Sequence, residues 1–294
     1  MSQLFDINKN ACINCYACVR VCPVKAIEVK AGQNYARIIQ ERCVGCGSCL
    51  NICPVNAVSY RSSKKEVLEL LNTGAKVAAI CSPSISGEFS DITDYRRFVQ
   101  MIKALGFTYV CEVTFGVDLV AQEYKKLFED FKGKYFITSL CPVVVSMVEK
   151  YHPDLVQNLA PIISPLIATA QAVHKEYGAD TKVVLIGPCI QSKEEAKLFN
   201  GESLIDENLT FVELRELFDE FNIKESNFEY AEFDEPIGYK GSLFPIGSGI
   251  LQAVDINQNL LTGNIISSNG PDNTLEALEQ FESSIELINR PFHL

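Results

Sequence analysis

The sequence predicts an α/β protein in two parts, a small α+β domain followed by a larger α/β domain with a parallel sheet. Two cysteine-rich segments near the N-terminus repeat each other, which indicates a compact metal-binding unit. Beyond them, β-rich and helix-like segments alternate, as is typical of a parallel sheet covered by helices. The 294 residues are enough for both parts, and we place the domains at 1–62 and 63–294.

The repeated segments begin at Cys12 and Cys43, and each has the spacing Cys-x-x-Cys-x-x-Cys-x-x-x-Cys-Pro. In bacterial two-cluster ferredoxins, three closely spaced thiolates of such a run bind one 4Fe–4S cluster, and the fourth reaches the other cluster. The spacing therefore predicts a ferredoxin-like domain with two clusters. The expected ligands are Cys12, Cys15, Cys18 and Cys53 for the first cluster, and Cys43, Cys46, Cys49 and Cys22 for the second. Zinc is the alternative, but a zinc site uses four ligands as two pairs and needs no second matched set.

Turn and capping residues predict two local elements around the second repeat. Residues 28–41 are expected to form a short hairpin insert around Gly32. Residues 61–73 are expected to form a linking helix, because Ser62 or Ser63 can cap its start and Gly74 can end it.

The larger domain contains four short segments whose residues are typical of strands. They are residues 76–81, 107–111, 134–141 and 182–189. Helices are expected between and after them, since Ser164 and Pro165 form a typical helix start and Thr210 with Glu213 forms a capping box.

Four further cysteines lie at the ends of these predicted strands, one on each: Cys81, Cys111, Cys141 and Cys189. Ligands of an open parallel sheet bind beyond the carboxyl ends of its strands, so the four thiols are expected to converge. Four thiolates are also the ligand set of a 4Fe–4S cluster, and the pattern therefore predicts a third cluster. The alternative is that they are buried apolar side chains, since free cysteine behaves as a small hydrophobe.

Composition and charge narrow the class of partner. A net charge of -11 without a basic run disfavours nucleic acid and anionic membranes, and it favours a redox partner with a basic patch. The N-terminus is polar, and no apolar run approaches the roughly 18 residues that span a bilayer. Twelve cysteines in such a chain indicate metal sites in a reducing cytoplasm rather than disulfides.

Several segments of the larger domain resemble the catalytic domain of iron-only (FeFe) hydrogenases, over residues 75 to about 290. ITSLCP from Ile137 resembles the family signature Thr-Ser-Cys-Cys-Pro, and GPCIQSKEEAK from Gly187 resembles Met-Pro-Cys-x-x-Lys-x-x-Glu. FTYVCEVTFGVDLV from Phe107 and LFPIGSGILQAV from Leu243 resemble two further family segments. The resemblance implies a hydrogenase-type α/β fold, and it is closest to hydrogenase-like proteins that carry this domain after a two-cluster ferredoxin module.

The resemblance also implies a changed set of cluster ligands. In the family, four cysteines hold a cubane bridged to a diiron centre, and two of them match Cys141 and Cys189. The other two belong to a Cys-x-x-x-Cys signature that would begin about where this sequence stops, so the domain is expected to be truncated at its C-terminus. Cys81 and Cys111 could replace the missing pair and leave a plain 4Fe–4S cluster.

The groups that handle protons in the family are changed as well. The cysteine thought to pass protons corresponds to Leu140, and the lysine that contacts the diiron ligands corresponds to Ser192, beside Lys193. Glu195 matches the family glutamate. A leucine cannot act as a general acid, so hydrogen turnover is not expected from this site.

Three functions fit these observations. The first is an anaerobic, cytoplasmic iron–sulfur protein that transfers electrons or senses redox state. It would hold two 4Fe–4S clusters in the ferredoxin-like domain and a third in the hydrogenase-like domain, with no diiron centre and a redox protein or flavoenzyme as partner. The second is a divergent or truncated FeFe hydrogenase that catalyses reversible hydrogen oxidation, with its missing cysteines supplied by another subunit. The third is a binding module in which the hydrogenase-like domain docks a redox enzyme.

Overall fold

The structure is a computed structural model that describes residues 3–129, 134–195, 204–256 and 265–285. In chain order the strands are β1 Phe5–Ile7, β2 Ile27–Glu28, β3 Arg37–Ile38, β4 Val58–Tyr60, β5 Val77–Cys81, β6 Tyr109–Glu112, β7 Lys182–Gly187 and β8 Glu207–Thr210. The α-helices are α1 Ala17–Val21, α2 Ser48–Asn51, α3 Lys64–Leu71, α4 Ile85–Glu88, α5 Tyr95–Ala104, α6 Thr114–Glu129, α7 Pro142–Tyr151, α8 Pro165–Tyr177, α9 Ser192–Glu195, α10 Phe211–Glu220, α11 Gly249–Ala253 and α12 Pro271–Ser284. None of these helices combines the length and apolar character that crossing a bilayer requires.

The N-terminal unit consists of two small antiparallel pairs of strands and two short helices. β1 pairs with β4, and β2 pairs with β3. The β2–β3 pair confirms the hairpin insert, in which Gly32 has the positive φ (81°) that a tight turn requires. Each short helix carries the third cysteine of one repeat, Cys18 in α1 and Cys49 in α2. Helix α3 follows as the predicted link, with Ser63 at its N-terminus.

The larger domain is built on a four-stranded parallel sheet, which confirms the predicted mixed α/β class. The strand order is β6-β5-β7-β8, and every neighbouring pair is parallel. One side of the sheet packs against α5 and α10 through residues such as Phe98, Ile102 and Leu214. The other side packs against α6 and α8 through Val117 and Ile167, so helices cover both faces.

The third predicted strand, residues 134–141, is wrong. Ile137 makes only an isolated parallel bridge to Leu159. The hydroxyl of Ser139 donates to the carbonyls of Ala160 and Ile162, at 3.0 and 2.9 Å, and its backbone N–H donates to the hydroxyl of Tyr124 at 2.9 Å. These bonds to a helix and a loop hold the segment away from the sheet.

The fourth strand of the sheet is instead β8, which sequence reasoning missed. Three of its four side chains are polar, and two of these, Asn208 and Thr210, are buried. Asn208 is 2% exposed, and Thr210 caps α10 through the predicted capping box with Glu213. A polar edge strand is compatible with burial here because the following helix and the N-terminal unit cover it.

One apolar core joins the two parts of the chain. Phe5 and Val44 of the N-terminal unit belong to the same buried cluster as Met147 of α7 and Phe281 of α12. Cysteines of both repeats pack against this cluster as well. The N-terminal unit is therefore seated on α7 and α12 rather than tethered by the linking helix alone.

Candidate iron–sulfur centres

The eight cysteines of the repeats line two separate cavities in the N-terminal unit. The first is lined by Cys12, Cys15, Cys18 and Cys53, and the second by Cys22, Cys43, Cys46 and Cys49. The structure thus groups the thiols in the two sets of four that the sequence predicts, with one cysteine of each repeat crossing to the other cavity.

The two crossing cysteines have the same local geometry. The Sγ of Cys22 accepts the backbone N–H of Ala26, and the Sγ of Cys53 accepts that of Ala57, both at 3.1 Å. In each turn the residue before that alanine is left-handed, with φ of 51° at Lys25 and 49° at Asn56. Donors aimed at sulfur stabilise a thiolate, so these turns fit a ligand that carries negative charge.

The ionisation of the thiols also fits a bound cluster. Burial raises the pKa of Cys18 and Cys43, and burial together with the neighbouring Cys43 and Cys46 raises the pKa of Cys49 to about 12. At Cys53 burial also acts to raise the pKa, but the backbone N–H groups of residues 55–58 outweigh it and lower the pKa. Four thiols in an apolar cavity ionise together only when a cationic centre replaces their protons.

Each of the two cavities offers four thiols, which is the ligand set of one cubane. A cubane binds its four thiolates at four separate irons, so it holds them further apart than one tetrahedral ion does.

The second cavity lies against the larger domain. A Cβ built on Gly47 would lie 3.8 Å from Cδ1 of Ile190, and one on Gly45 would lie 1.6 Å from Oε1 of Gln191. Both contact residues follow Cys189 directly in the chain. Gly45 has a φ of 75°, a left-handed conformation that favours glycine, and the flexible side chain of Gln191 lies against it.

Helix α7 also contacts the loop that lines the second cavity. The Nζ of Lys150 donates to the carbonyl of Cys43 at 2.6 Å, and the hydroxyl of Tyr151 donates to the carbonyl of Arg42 at 2.7 Å. Sequence reasoning missed Gln191, Lys150 and Tyr151 as residues of the site. No local pattern identifies them, because each contact joins residues more than 100 positions apart.

A buried ion pair fixes the segment that carries Ile190 and Gln191. The side chains of Lys193 and Glu213 are only 1% and 3% exposed, and Nζ lies 2.9 Å from Oε2. Lys193 also donates to the hydroxyl of Ser63 and to the carbonyl of Asn208, at 3.0 and 2.6 Å. Burial alone would raise the pKa of Glu213, but Lys193 and the N–H groups of Thr210 and Ser63 outweigh burial and lower it. Every polar atom of the pair is satisfied, so the linking helix, α9 and α10 meet at one rigid junction.

The structure does not bring Cys81 and Cys111 together, as a shared cluster would require. Cys81 is opposite Glu112 in the β5–β6 register, while Cys111 is opposite Ile80. Side chains alternate between the faces of a strand, so the two thiols point to opposite faces of the sheet. Both are fully buried in the two different core clusters, and burial raises the pKa of both, that of Cys111 to about 12. They are the buried apolar cysteines of the alternative interpretation.

The other two predicted cysteines lie outside the core. Cys141 is exposed at the start of α7, and Cys189 is half-buried in the loop after β7. Cys141 and Leu140 line a cavity of about 230 Å³ between α7, α11 and the start of α12. Among the described residues that line this cavity, the polar side chains are Thr138, Cys141, Ser248, Ser267, Ser268 and Thr274, and none is charged.

The family's lysine and glutamate positions are occupied differently here. Ser192 is buried, and the adjacent Lys193 is bound to Glu213 rather than directed into the cavity beside Cys141. The side chain of Glu195 lies outside the described residues.

The fold and the paired cavities define the class, an iron–sulfur protein with a 4Fe–4S dicluster unit joined to a parallel α/β domain. Residues 6–60 match the family model described as a 4Fe-4S dicluster domain. Residues 75–286 match the one described as the iron-only hydrogenase large subunit, C-terminal domain. The chain belongs to this iron-only hydrogenase family, and it binds 4Fe–4S clusters.

Curated relatives and solved structures agree with this assignment. The chain is 25% identical, over 86% of its length, to the NADP-reducing hydrogenase subunit HndD of Solidesulfovibrio fructosivorans, and 27% identical, over 66%, to iron hydrogenase 1 of Clostridium pasteurianum. It spans only 44% and 38% of the length of these two proteins. An [FeFe]-hydrogenase structure, HydA(deltaEFG), shares the fold with a TM-score of 0.54 and 24% identity, over 61% of this chain and 52% of that one. Apo HydA1 of Chlamydomonas reinhardtii gives a TM-score of 0.53 and 23% identity over the same shares.

Proposed function

We propose that this chain is an electron-transfer protein in which two 4Fe–4S clusters relay electrons between redox partners, and in which the hydrogenase-like domain does not turn over hydrogen. The observation that carries the proposal is the uncharged cavity beside Cys141. Hydrogen turnover moves a proton at each step, and it needs a titratable group within hydrogen-bond reach of the metal. Leu140 occupies the position of the family's proton-passing cysteine, and Lys193 is committed to Glu213.

The proposed cluster ligands are the two sets of four cysteines that line the cavities of the N-terminal unit. When bound, each cluster would supply a centre that gains and loses one electron. The N–H donors at Cys22 and Cys53 and the apolar walls of the cavities would set the two potentials.

The two clusters would have different positions along the electron path. The first cavity lies near solvent, because Cys15 is exposed, whereas Cys49 of the second cavity is buried and Ile190 and Gln191 cover its loop. Electrons would therefore pass between a redox partner at the first cluster and a second redox partner bound to the larger domain near the second cluster. The contact runs through the residues that follow Cys189, which suits transfer to an acceptor near that thiol.

A divergent hydrogenase is the second candidate. Family membership favours it, together with Cys141 and Cys189 at positions that match the family's cubane ligands. The cavity beside Cys141 is also large enough to admit a cofactor.

A hydrogen-evolution assay separates the two candidates. The anaerobically reconstituted chain is treated with a synthetic diiron precursor, and hydrogen is measured with reduced viologen as electron donor. We expect no hydrogen above background, although viologen reduces the clusters. A Leu140→Cys variant is the matched control for the missing proton donor. Hydrogen evolution by the unaltered chain would refute the proposal, and activity of the variant alone would locate the defect at residue 140.

A further inference from the structure

We propose that Lys150, in the last turn of α7, holds the reduction potential of the second cluster above the value that its buried site alone would give. This inference rests on the two-cluster electron-transfer function proposed above. A 4Fe–4S cluster carries one more negative charge when it is reduced, so a fixed cation nearby favours the reduced form. Lys150 binds no iron in this account and acts on the cluster only through its charge.

Lys150 places its charge at the edge of the second cavity. Its Nζ donates to the carbonyl of Cys43 at 2.6 Å, and Cys43 lines that cavity. Burial raises the pKa of the Cys43 thiol, and the charge of Lys150 acts against burial. Within the part of the chain that the structure describes, Lys150 forms no ion pair with an Asp or Glu that would cancel this charge.

Two features of the second site work against reduction, and a cation offsets both. Cys22 and Cys49 are buried, and a buried site disfavours the more highly charged state of a cluster. Helix α7 ends at Tyr151, next to the loop that carries Cys43, and a helix C-terminus has a partial negative charge. The ammonium of Lys150 lies where these two unfavourable contributions meet.

Tyr151 fixes the distance between the end of α7 and the second cavity. Its hydroxyl lies 2.7 Å from the carbonyl of Arg42 and 3.3 Å from that of Val24. Arg42 directly precedes Cys43, and Val24 follows Cys22 by two residues. One hydroxyl thus ties α7 to a segment of each repeat, so the ammonium beside it stays at a constant position relative to the cluster.

The first cluster has no counterpart of this cation. Cys12 has the position in the first repeat that Cys43 has in the second, and among the described residues no side chain donates to the Cys12 carbonyl. The N–H groups of Ala26 and Ala57 donate to the crossing cysteines at the same 3.1 Å, so they do not distinguish the two sites. Removal of the charge of Lys150 should therefore affect one cluster and not the other.

The test is a potentiometric EPR titration of the anaerobically reconstituted chain. Lys150→Met should shift the midpoint potential of the second cluster to a more negative value and leave the first nearly unchanged. The difference between the two chains should shrink as ionic strength rises, because Lys150 lies near solvent. A Cys46→Ala chain, which should retain only the first cluster, assigns the two midpoints.

Three further variants separate the charge of Lys150 from its packing. Lys150→Arg keeps the charge and should retain most of the original midpoint, whereas Lys150→Gln, which can still donate a hydrogen bond, should behave like Lys150→Met. Lys126→Met removes a positive charge from an exposed side chain of α6 (70% exposed) and should move neither midpoint.

Several outcomes would overturn this role of Lys150. An unchanged second midpoint in Lys150→Met, equal shifts of both midpoints, or full rescue by Lys150→Gln would each do so. Loss of the second cluster from both neutral variants would assign Lys150 to cluster assembly instead. Absence of clusters from the unaltered chain would refute the electron-transfer function, whereas two intact clusters with an unshifted second midpoint would refute only this inference.

Discussion

Two features favour glycine at position 45. Its backbone is left-handed, and the side-chain amide of Gln191 lies against it. Gly47 shares the first feature, with a φ of 76°, but has only a distant contact with Ile190. The pair therefore separates the strain of a left-handed residue from the contact between the two parts of the protein.

Gly45→Ala should destabilise the chain more than Gly47→Ala. Both substitutions incur the left-handed strain of about 1–2 kcal/mol, but only the first places a Cβ within 1.6 Å of Gln191 Oε1. The measurement is the thermal unfolding midpoint and the iron content of each reconstituted variant. Gly45→Ala/Gln191→Ala should recover most of the difference, and equal losses at the two glycines would show that Gln191 does not contact the loop.

At the scale of elements, the junction of the linking helix, α9 and α10 depends on the buried pair Lys193–Glu213. Lys193→Met should cost about 3–5 kcal/mol of unfolding free energy, because it leaves Glu213 charged and buried. Lys193→Met/Glu213→Gln should be more stable than the single variant, since glutamine keeps the capping box without the charge. Denaturant unfolding measures both, and disruption of the exposed pair Lys65–Glu69 serves as the control, with a change below about 1 kcal/mol.

The same pair predicts a dependence of stability on pH. The pKa of Glu213 in the folded chain lies below its ordinary value of 4.5, so its contribution is fully present above pH 4.5 and is lost as pH falls through the folded pKa. The stability difference between the unaltered chain and Glu213→Gln should therefore shrink on acidification below about pH 4.5. Comparing the two chains at each pH removes the acid sensitivity that they share, and a constant difference would exclude this role.

The register of β5 and β6 also makes a prediction about iron. Because Cys81 and Cys111 face opposite sides of the sheet, Cys81→Ala and Cys111→Ala should leave the iron content unchanged and lower stability only through lost packing. Cys46→Ala, in contrast, should reduce the iron content by about half. Iron loss in either sheet variant would show that a strand cysteine is a ligand after all.

These elements also show how far the sequence could predict the site. Cys12, Cys15 and Cys18 line one cavity because they are closely spaced in the chain, so their spacing alone predicts this grouping. The faces to which Cys81 and Cys111 point depend on a one-residue register between strands, which no local pattern encodes. Residues 134–141 have strand-like composition, but tertiary hydrogen bonds of Ser139 override it.

At the scale of the whole molecule, the two parts share one apolar core and contact each other around the second cavity, but the net charge of their side chains differs. The cluster covering Phe5, Met147 and Phe281 seats the N-terminal unit on the larger domain, and Gln191 and Lys150 bring the second cavity against it. The first cavity lies near solvent in the N-terminal unit, where basic side chains outnumber acidic ones. This asymmetry gives the proposed electron path an outer end and an inner end.

We propose that the chain carries two 4Fe–4S clusters in the N-terminal unit and no metal centre at Cys81 and Cys111. The most direct test is an anaerobic iron and sulfide count on the reconstituted chain, combined with a potentiometric EPR titration. We predict about eight irons per chain and two one-electron EPR signals. Substitution of a cysteine in either set should abolish the signal of the cluster that this set binds. Four irons, or twelve irons with a third signal that depends on Cys81 and Cys111, would contradict the account.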